Sequence, residues 1–308
     1  MKIICLLTLY FMIFVNTKII ADNKHEFFVV YTNSLNGQLD SCECKNDPKG
    51  GLVKRATIIN TLRKTKGQLL LFETGDFFTY DKDLLLSQYI VKAYRYMKYD
   101  AMQFGDQEFT IGVKNFLKFR NKLPFVSSNV TLNSGNGFKK YFLSSKIIRR
   151  DKIKIGVIGT ISKSSFKYYS MKIKKNIEIS DQIKVIKREI KKLKRKNVSI
   201  FILLSHSGYS RDKWLAKRLS DIDIIIGGHS QTLLKKPVKI NNSIIVQAGS
   251  DGKRIGILHI KIRNNKIEYY KNVFIYPTHT YPQDNPFIRQ LINKYNLELR
   301  KKYNKLKF

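Results

Sequence analysis

Five times between Phe27 and Gln231, a short run of β-branched, leucine or aromatic residues stops at a polar turn containing glycine. Phe27–Thr32 gives way to Ser34-Leu35-Asn36-Gly37, and Gln68–Glu73 to Gly75-Asp76. Asp100–Phe104 leads into Gly105-Asp106-Gln107-Glu108, Val198–Leu204 into Ser205-His206-Ser207-Gly208, and Ile222–Ile226 into Gly227-Gly228-His229-Ser230-Gln231. Runs of this kind predict strands, and helical spacing predicts helices over Leu52–Lys64, Leu84–Met97, Val113–Lys122 and Lys213–Leu219. Further strands are expected at Phe125–Ser128, Phe142–Ile148, Lys154–Ile158, Ile244–Gln247, Ile255–Ile262 and Ile267–Ile275, with a helix near Phe287–Lys301. Strand-helix alternation with a β-rich end predicts an α/β fold, a layered sandwich of mixed β-sheets flanked by helices. Ligands in open α/β sheets bind beyond the carboxyl ends of strands, so turns spread over roughly 200 residues would converge on one crevice.

A fold of this size needs apolar residues, and 43% of the 308 residues are hydrophobic, which excludes a disordered basic tail. Lys and Arg number 58 against 23 Asp and Glu, a formal +35. The densest basic run is Lys184–Lys196, where Ile183, Ile186, Ile190 and Leu193 recur at helical spacing. That pattern predicts a surface helix with one buried stripe and a solvated basic face. The excess charge also suits an anionic partner, either a small phosphorylated or anionic ligand or an anionic membrane surface. No nucleic-acid-binding motif is found, so specific nucleic-acid binding is not expected.

The first residues read as a targeting segment. Lys2 precedes Ile3–Val15, apolar except for Thr8, and a small residue follows at Ala21. A 13-residue stretch is too short to span a bilayer and matches a cleaved signal peptide over 1–21, so export to a periplasmic or extracellular space is expected. Of the 3 cysteines, too few for a disulfide scaffold, Cys5 lies in that segment, leaving Cys42 and Cys44 in an oxidising compartment.

Thr32-Asn33-Ser34-Leu35-Asn36-Gly37, Gly50-Gly51-Leu52-Val53-Lys54-Arg55, Gly75-Asp76, Gly105-Asp106-Gln107-Glu108-Phe109, Leu204-Ser205-His206 and Gly227-Gly228-His229-Ser230-Gln231 occur in this order. Together they resemble the motif series of the calcineurin-like metallophosphoesterases, most closely the 5′-nucleotidase/UDP-sugar hydrolase branch. The resemblance covers about residues 27–275. It implies a metallophosphoesterase-like domain over 22–285 and a C-terminal helix over 286–308, without the family's nucleotide-recognition domain. It also implies phosphoester hydrolysis at a pair of metals. The positions matching the ligands exclusive to the first metal are Ser34, Asn36 and Gln231, none a strong donor for zinc or manganese. The positions matching the second metal are Asp76, Asp106, His206 and His229, all competent ligands. One divalent cation of the zinc, manganese or iron class is therefore expected. Gln107 stands where the family has a catalytic histidine and cannot deliver a proton, so weak or altered hydrolysis is expected.

Cys42-Glu43-Cys44 has three open readings: a strained loop disulfide or plain thiols, a soft site for zinc or copper(I), or a redox pair with Lys45 nearby. With the preceding Asn36-Gly37 and the following Gly50-Gly51-Leu52, it looks like a branch of these proteins related to selenoprotein forms. The alternative function is accordingly a non-catalytic metal or anion binder, or a thiol-redox factor. His25, His259 and His279 match no motif.

Overall fold

Along strand β1, Lys24–Thr32, successive side chains enter different cores: Phe27, Val29 and Tyr31 one, Phe28 and Val30 the other. This period of two, with both faces apolar, marks a strand in the middle layers of a sandwich. The computed structural model describes residues 24–41, 50–278 and 283–305. The predicted signal segment, Cys42, Cys44 and His279 lie outside the described residues.

The remaining strands are β2 Leu69–Glu73, β3 Ala101–Met102, β4 Val130–Asn133, β5 Phe138–Lys139, β6 Ser145–Arg150, β7 Ile153–Ile161 and β8 Ile177–Ile179. They continue with β9 Ile200–His206, β10 Ile224–Gly227, β11 Val238–Ile240, β12 Ser243–Val246, β13 Ile255–Arg263 and β14 Lys266–Ile275. The helices are α1 Leu52–Thr65, α2 Leu84–Met97, α3 Val113–Leu117, α4 Met171–Lys174, α5 Gln182–Lys194, α6 Tyr209–Arg218 and α7 Pro286–Lys305. One sheet has the order β14-β13-β1-β2-β3 and the other β11-β12-β10-β9-β7-β6. Both are mixed, with β1, β2 and β3 parallel in the first and β7, β9, β10 and β12 parallel in the second.

The sheets pack face to face through Phe27, Leu70 and Phe72 on one side and Val157, Ile202 and Leu204 on the other. Helices α1, α2 and α7 cover the first sheet, and α5 and α6 the second. The result is a four-layer α/β/β/α sandwich, the predicted fold class. Helix α5 starts where the Asp181 carboxylate accepts the Lys184 amide. It buries Val185, Ile186, Ile190 and Leu193 and exposes Lys184, Lys187, Lys191 and Lys192.

The strand expected over Phe142–Ile148 is displaced to Ser145–Arg150, the helix expected over Lys213–Leu219 starts at Tyr209, and three further elements differ more. The helix expected over Val113–Lys122 ends at Leu117, and the chain continues in tighter i→i−3 bonds from Phe119 to Phe116 and from Lys122 to Phe119. That tightening brings Phe116 and Phe119 into the aromatic core, and Pro124 disfavours helix in the residue before it. The strand expected over Asp100–Phe104 shrinks to Ala101–Met102, because the chain leaves the sheet to form the Gly105-Asp106 turn. Phe125–Ser128 makes only isolated bridges, through Phe125 and Val126. A small sheet of order β5-β4-β8 was not anticipated.

Candidate metal centre

The parallel strands β2 and β3 lead into the turns that carry Asp76 and Asp106; of the parallel strands β9 and β10, β9 ends at His206 and β10 leads into the turn that carries His229. Each sheet therefore contributes one chemical type, two carboxylates from the first and two imidazoles from the second. Asp76 and His229 are held at φ 59° and 69°, and Ser34, Asn36 and Gln231 also lie at positive φ. Such conformations cost free energy and concentrate where side chains must be aimed. Two glycines permit the approach. A Cβ on Gly105 would collide with Asp76 Oδ1 and the His206 ring, and one on Gly75, at φ +94°, would lie 2.7 Å from His206 Nδ1.

Asp76, Asp106, His206 and His229 offer one ligand atom each, all within 4.8 Å of one another. His206 Nε2 lies 3.0 Å from Asp106 Oδ1 and 3.3 Å from Asp76 Oδ1, and His229 Nδ1 lies 3.0 Å from Asp106 Oδ1. The other nitrogen of His206, Nδ1, is 2.6 Å from the Thr74 carbonyl and donates to it. That bond fixes the ring and turns Nε2 toward the carboxylates, the orienting contact that metal-binding histidines use. Burial opposes charge on His206, but Asp76 and Asp106 outweigh it and raise its pKa well above the usual imidazole value. The same contacts hold Asp106 well below the usual carboxylate range despite its burial. The cluster is short of positive charge and draws it from the imidazole. The donor set fits a divalent cation of the zinc, manganese or iron class, which takes imidazole and carboxylate together.

Ser34, Asn36, Gln231 and Gln107, all neutral, meet beside this cluster and are held by hydrogen bonds to one another and to their neighbours. Gln107 Nε2 donates to Asn36 Oδ1 at 3.1 Å, and Gln231 Nε2 reaches the same oxygen at 3.5 Å. Asn36 Nδ2 donates to Asp251 Oδ1 at 2.8 Å, Gln231 Nε2 also reaches the Tyr80 hydroxyl at 3.3 Å, and Ser34 Oγ accepts from Asn33 at 3.2 Å. Gln107 Oε1 is buried without a partner.

Sequence reasoning missed several residues that hold the site. Glu108 accepts the backbone N–H groups of Asp76, Phe77, Phe78 and Gly105 at 2.5 to 3.0 Å, tying the two carboxylate-bearing turns together. Burial and the Asp76 charge raise its pKa, against the pull of those donors. Tyr169 turns its hydroxyl inward, and burial and the Asp106 charge raise its pKa. Asp212 on α6 is fully buried, accepts from Ser205 Oγ at 2.5 Å, and leaves its other oxygen without a partner. Asp212 stands in the first turn of α6, where an aspartate ordinarily faces solvent, so nothing in the sequence marks it as buried.

Burial pushes Asp212 up to about 7, so the folded chain keeps its proton where the unfolded chain has lost it. Stability should therefore fall as pH rises from about 4 through about 7. Asp212→Asn, neutral throughout, is expected to match the wild type near pH 4 and exceed it at pH 8 by on the order of 2–4 kcal/mol. Denaturant melts at both pH values check this.

Two mixed sheets packed face to face, with aspartates and histidines on the turns at one edge, define the calcineurin-like metallophosphoesterase fold, and the chain has that fold. Its form is that of the N-terminal domain of 5′-nucleotidases, and its sequence relatives carry that name. It is 27% identical to the 5′-nucleotidase of Homo sapiens over 317 residues, covering 91% of this chain and 54% of that protein. The structure of a 5′-nucleotidase precursor from Thermus thermophilus matches with a TM-score of 0.81 at 23% identity, over 90% of this chain and 59% of that one. The calcineurin-like phosphoesterase YfkN from Bacillus subtilis matches with a TM-score of 0.74 at 19% identity, over 89% of this chain and 98% of that one. The chain spans about half the length of the curated relatives it matches. No family model matches it.

Proposed function

We propose that the chain is an exported phosphoesterase of the 5′-nucleotidase type that works with a single divalent cation and turns over more weakly than a two-metal enzyme. Asp76, Asp106, His206 and His229 are the ligands in this reading, and a small phosphorylated compound is the substrate. When bound, the cation supplies Lewis-acid charge for a phosphoryl oxygen and for an attacking water. The protein's own part is positional. The Thr74 carbonyl holds the His206 ring and Glu108 holds both carboxylate turns. Tyr80 and Gln231 stand beside the cluster with groups that donate hydrogen bonds to an anion.

The observation that carries the single-cation reading is the amide network. Gln107 and Gln231 are both bonded to Asn36, and none of the three offers an anionic donor. Metal analysis of the purified chain is expected to give about one equivalent, with hydrolysis of nucleoside monophosphates, cyclic nucleotides or UDP-sugars dependent on it. The combined change Ser34→Asp, Asn36→His and Gln231→His should raise the content to about two equivalents. Adding Gln107→His should raise kcat by roughly 10²-fold or more. About two equivalents in the unchanged chain would overturn the reading.

One observation favours a second reading. The Gln107 amide is committed to Asn36 and cannot deliver a proton to a leaving group. A chain that binds metal but hydrolyses none of these esters would be a metal or anion binder, or a thiol-redox factor using Cys42 and Cys44. Among the described residues, no helix is long and apolar enough to cross a membrane. Export rests on the 1–21 segment, and the +35 charge supports association with an anionic membrane surface.

A further inference from the structure

Between β7 and β8 the chain makes a 3₁₀ turn over Lys163–Phe166 and then the short helix α4. The outer side of this connection combines exposed apolar side chains with clustered positive charge. Tyr168 is 90% exposed and Met171 70% exposed, the two most exposed large apolar side chains among the described residues. Around them stand Lys163, Lys167, Lys172, Lys174 and Lys175, and from Lys152 to Ile177 the sequence has no acidic residue. Lys167 Nζ lies 5.3 Å from the centre of the Tyr168 ring. Beside them a cleft of about 550 Å³ has Phe166, Ile177 and Ile179 as its apolar floor and Lys163, Lys167 and Lys174 at its rim. No carboxylate lines it.

We infer that the Lys163–Lys175 segment is the docking surface of this protein for an anionic phospholipid bilayer. Its chemistry is that of an interfacial segment: ammonium groups at the level of the phosphates, with an amphipathic tyrosine and a methionine reaching the acyl boundary. A soluble partner with a carboxylate-rich face would satisfy the lysines but leave Tyr168 and Met171 without an apolar phase. The charge here differs from that on α5. There the lysines stand on a face whose apolar residues are turned into the core, so α5 can attract an anionic surface but has nothing to insert. Tyr169, between Tyr168 and α4, turns inward toward Asp106, so one turn faces solvent on one side and the candidate metal cluster on the other. Docking through it would bring that cluster close to the lipid surface.

The test is co-sedimentation of the full chain with phosphatidylcholine vesicles, with and without phosphatidylglycerol. The wild type should bind only the phosphatidylglycerol vesicles. Tyr168→Ser with Met171→Ser should weaken partition by about 10-fold, on the basis of the apolar area withdrawn. Lys163→Gln, Lys167→Gln, Lys172→Gln and Lys175→Gln together should weaken it by about 10² or more, given a severalfold effect for each lysine at an anionic surface. A matched variant on α5, Lys184→Gln, Lys187→Gln, Lys191→Gln and Lys192→Gln, removes the same charge and should lose severalfold less. Equal loss in the α5 variant, unchanged binding of the Tyr168/Met171 variant, or no wild-type binding to phosphatidylglycerol vesicles each overturns the inference. The readout is partition and not hydrolysis, so failure here is separable from failure of the phosphoesterase reading.

Discussion

His206→Ala is expected to leave the chain with almost no bound cation and to reduce kcat/KM toward a phosphomonoester by about 10³-fold or more. The size of the effect follows from the position of the ring. It is fully buried, its Nδ1 is fixed to the Thr74 carbonyl, and its Nε2 is the one nitrogen facing both carboxylates. Alanine removes a ligand and also leaves two buried carboxylates facing each other without the cation that balances them. Loss of stability is expected too, so a second variant separates the effects. His229 is 31% exposed and its ring contacts Asp106 from the solvent side. His229→Ala should keep the fold while metal affinity falls by about 10-fold or more. Metal analysis, circular dichroism and turnover read the three quantities independently. Wild-type metal content in both variants would dismantle the four-residue assignment.

The second large effect is expected at Glu108. Its carboxylate accepts four backbone N–H groups from two separate turns, and no water reaches it. Alanine would leave four buried donors unpaired. Glutamine would keep the volume but place its NH₂ group against N–H donors in either orientation. Both substitutions should cost about 3–5 kcal/mol, and glutamine should rescue little. Thermal melts should show a fall of roughly 10 °C in Tm, with weaker metal binding because Asp76 and Asp106 lose their shared anchor. A melt for Glu108→Gln within a degree or two of wild type would show that the turns are held by something else.

The four cluster residues were legible because each follows a strand at a glycine-bearing turn, and parallel strands deliver such turns to one edge. Helix α2 was legible to the residue from its helical spacing alone, and the structure shows why the bounds are sharp: Asp83 caps its start and Lys98 ends it in a left-handed conformation. The basic run on α5 read correctly as a buried stripe under a solvated face, although Ile183 is only half-buried and Val185 joins the stripe instead. Glu108 was not legible as an anchor, because a glutamate in a turn normally faces water and only the tertiary fold encloses it. The small sheet was missed for a related reason: its strands are two to four residues long and too short for any period to show. The amide network was visible only as lost ligands, since the bonds among Asn36, Gln107 and Gln231 join positions up to 195 residues apart.

The division of labour between the sheets has a mechanical consequence. Carboxylates carried by one layer and imidazoles carried by the other make anything bound between them a cross-layer rivet at a single edge of the sandwich. Occupancy then opposes separation of the two layers by an amount that grows with the logarithm of free cation. A chelator would act as a local denaturant, loosening the open ends of β2, β3, β9 and β10 while the inter-sheet core around Val157 and Ile202 stays shut.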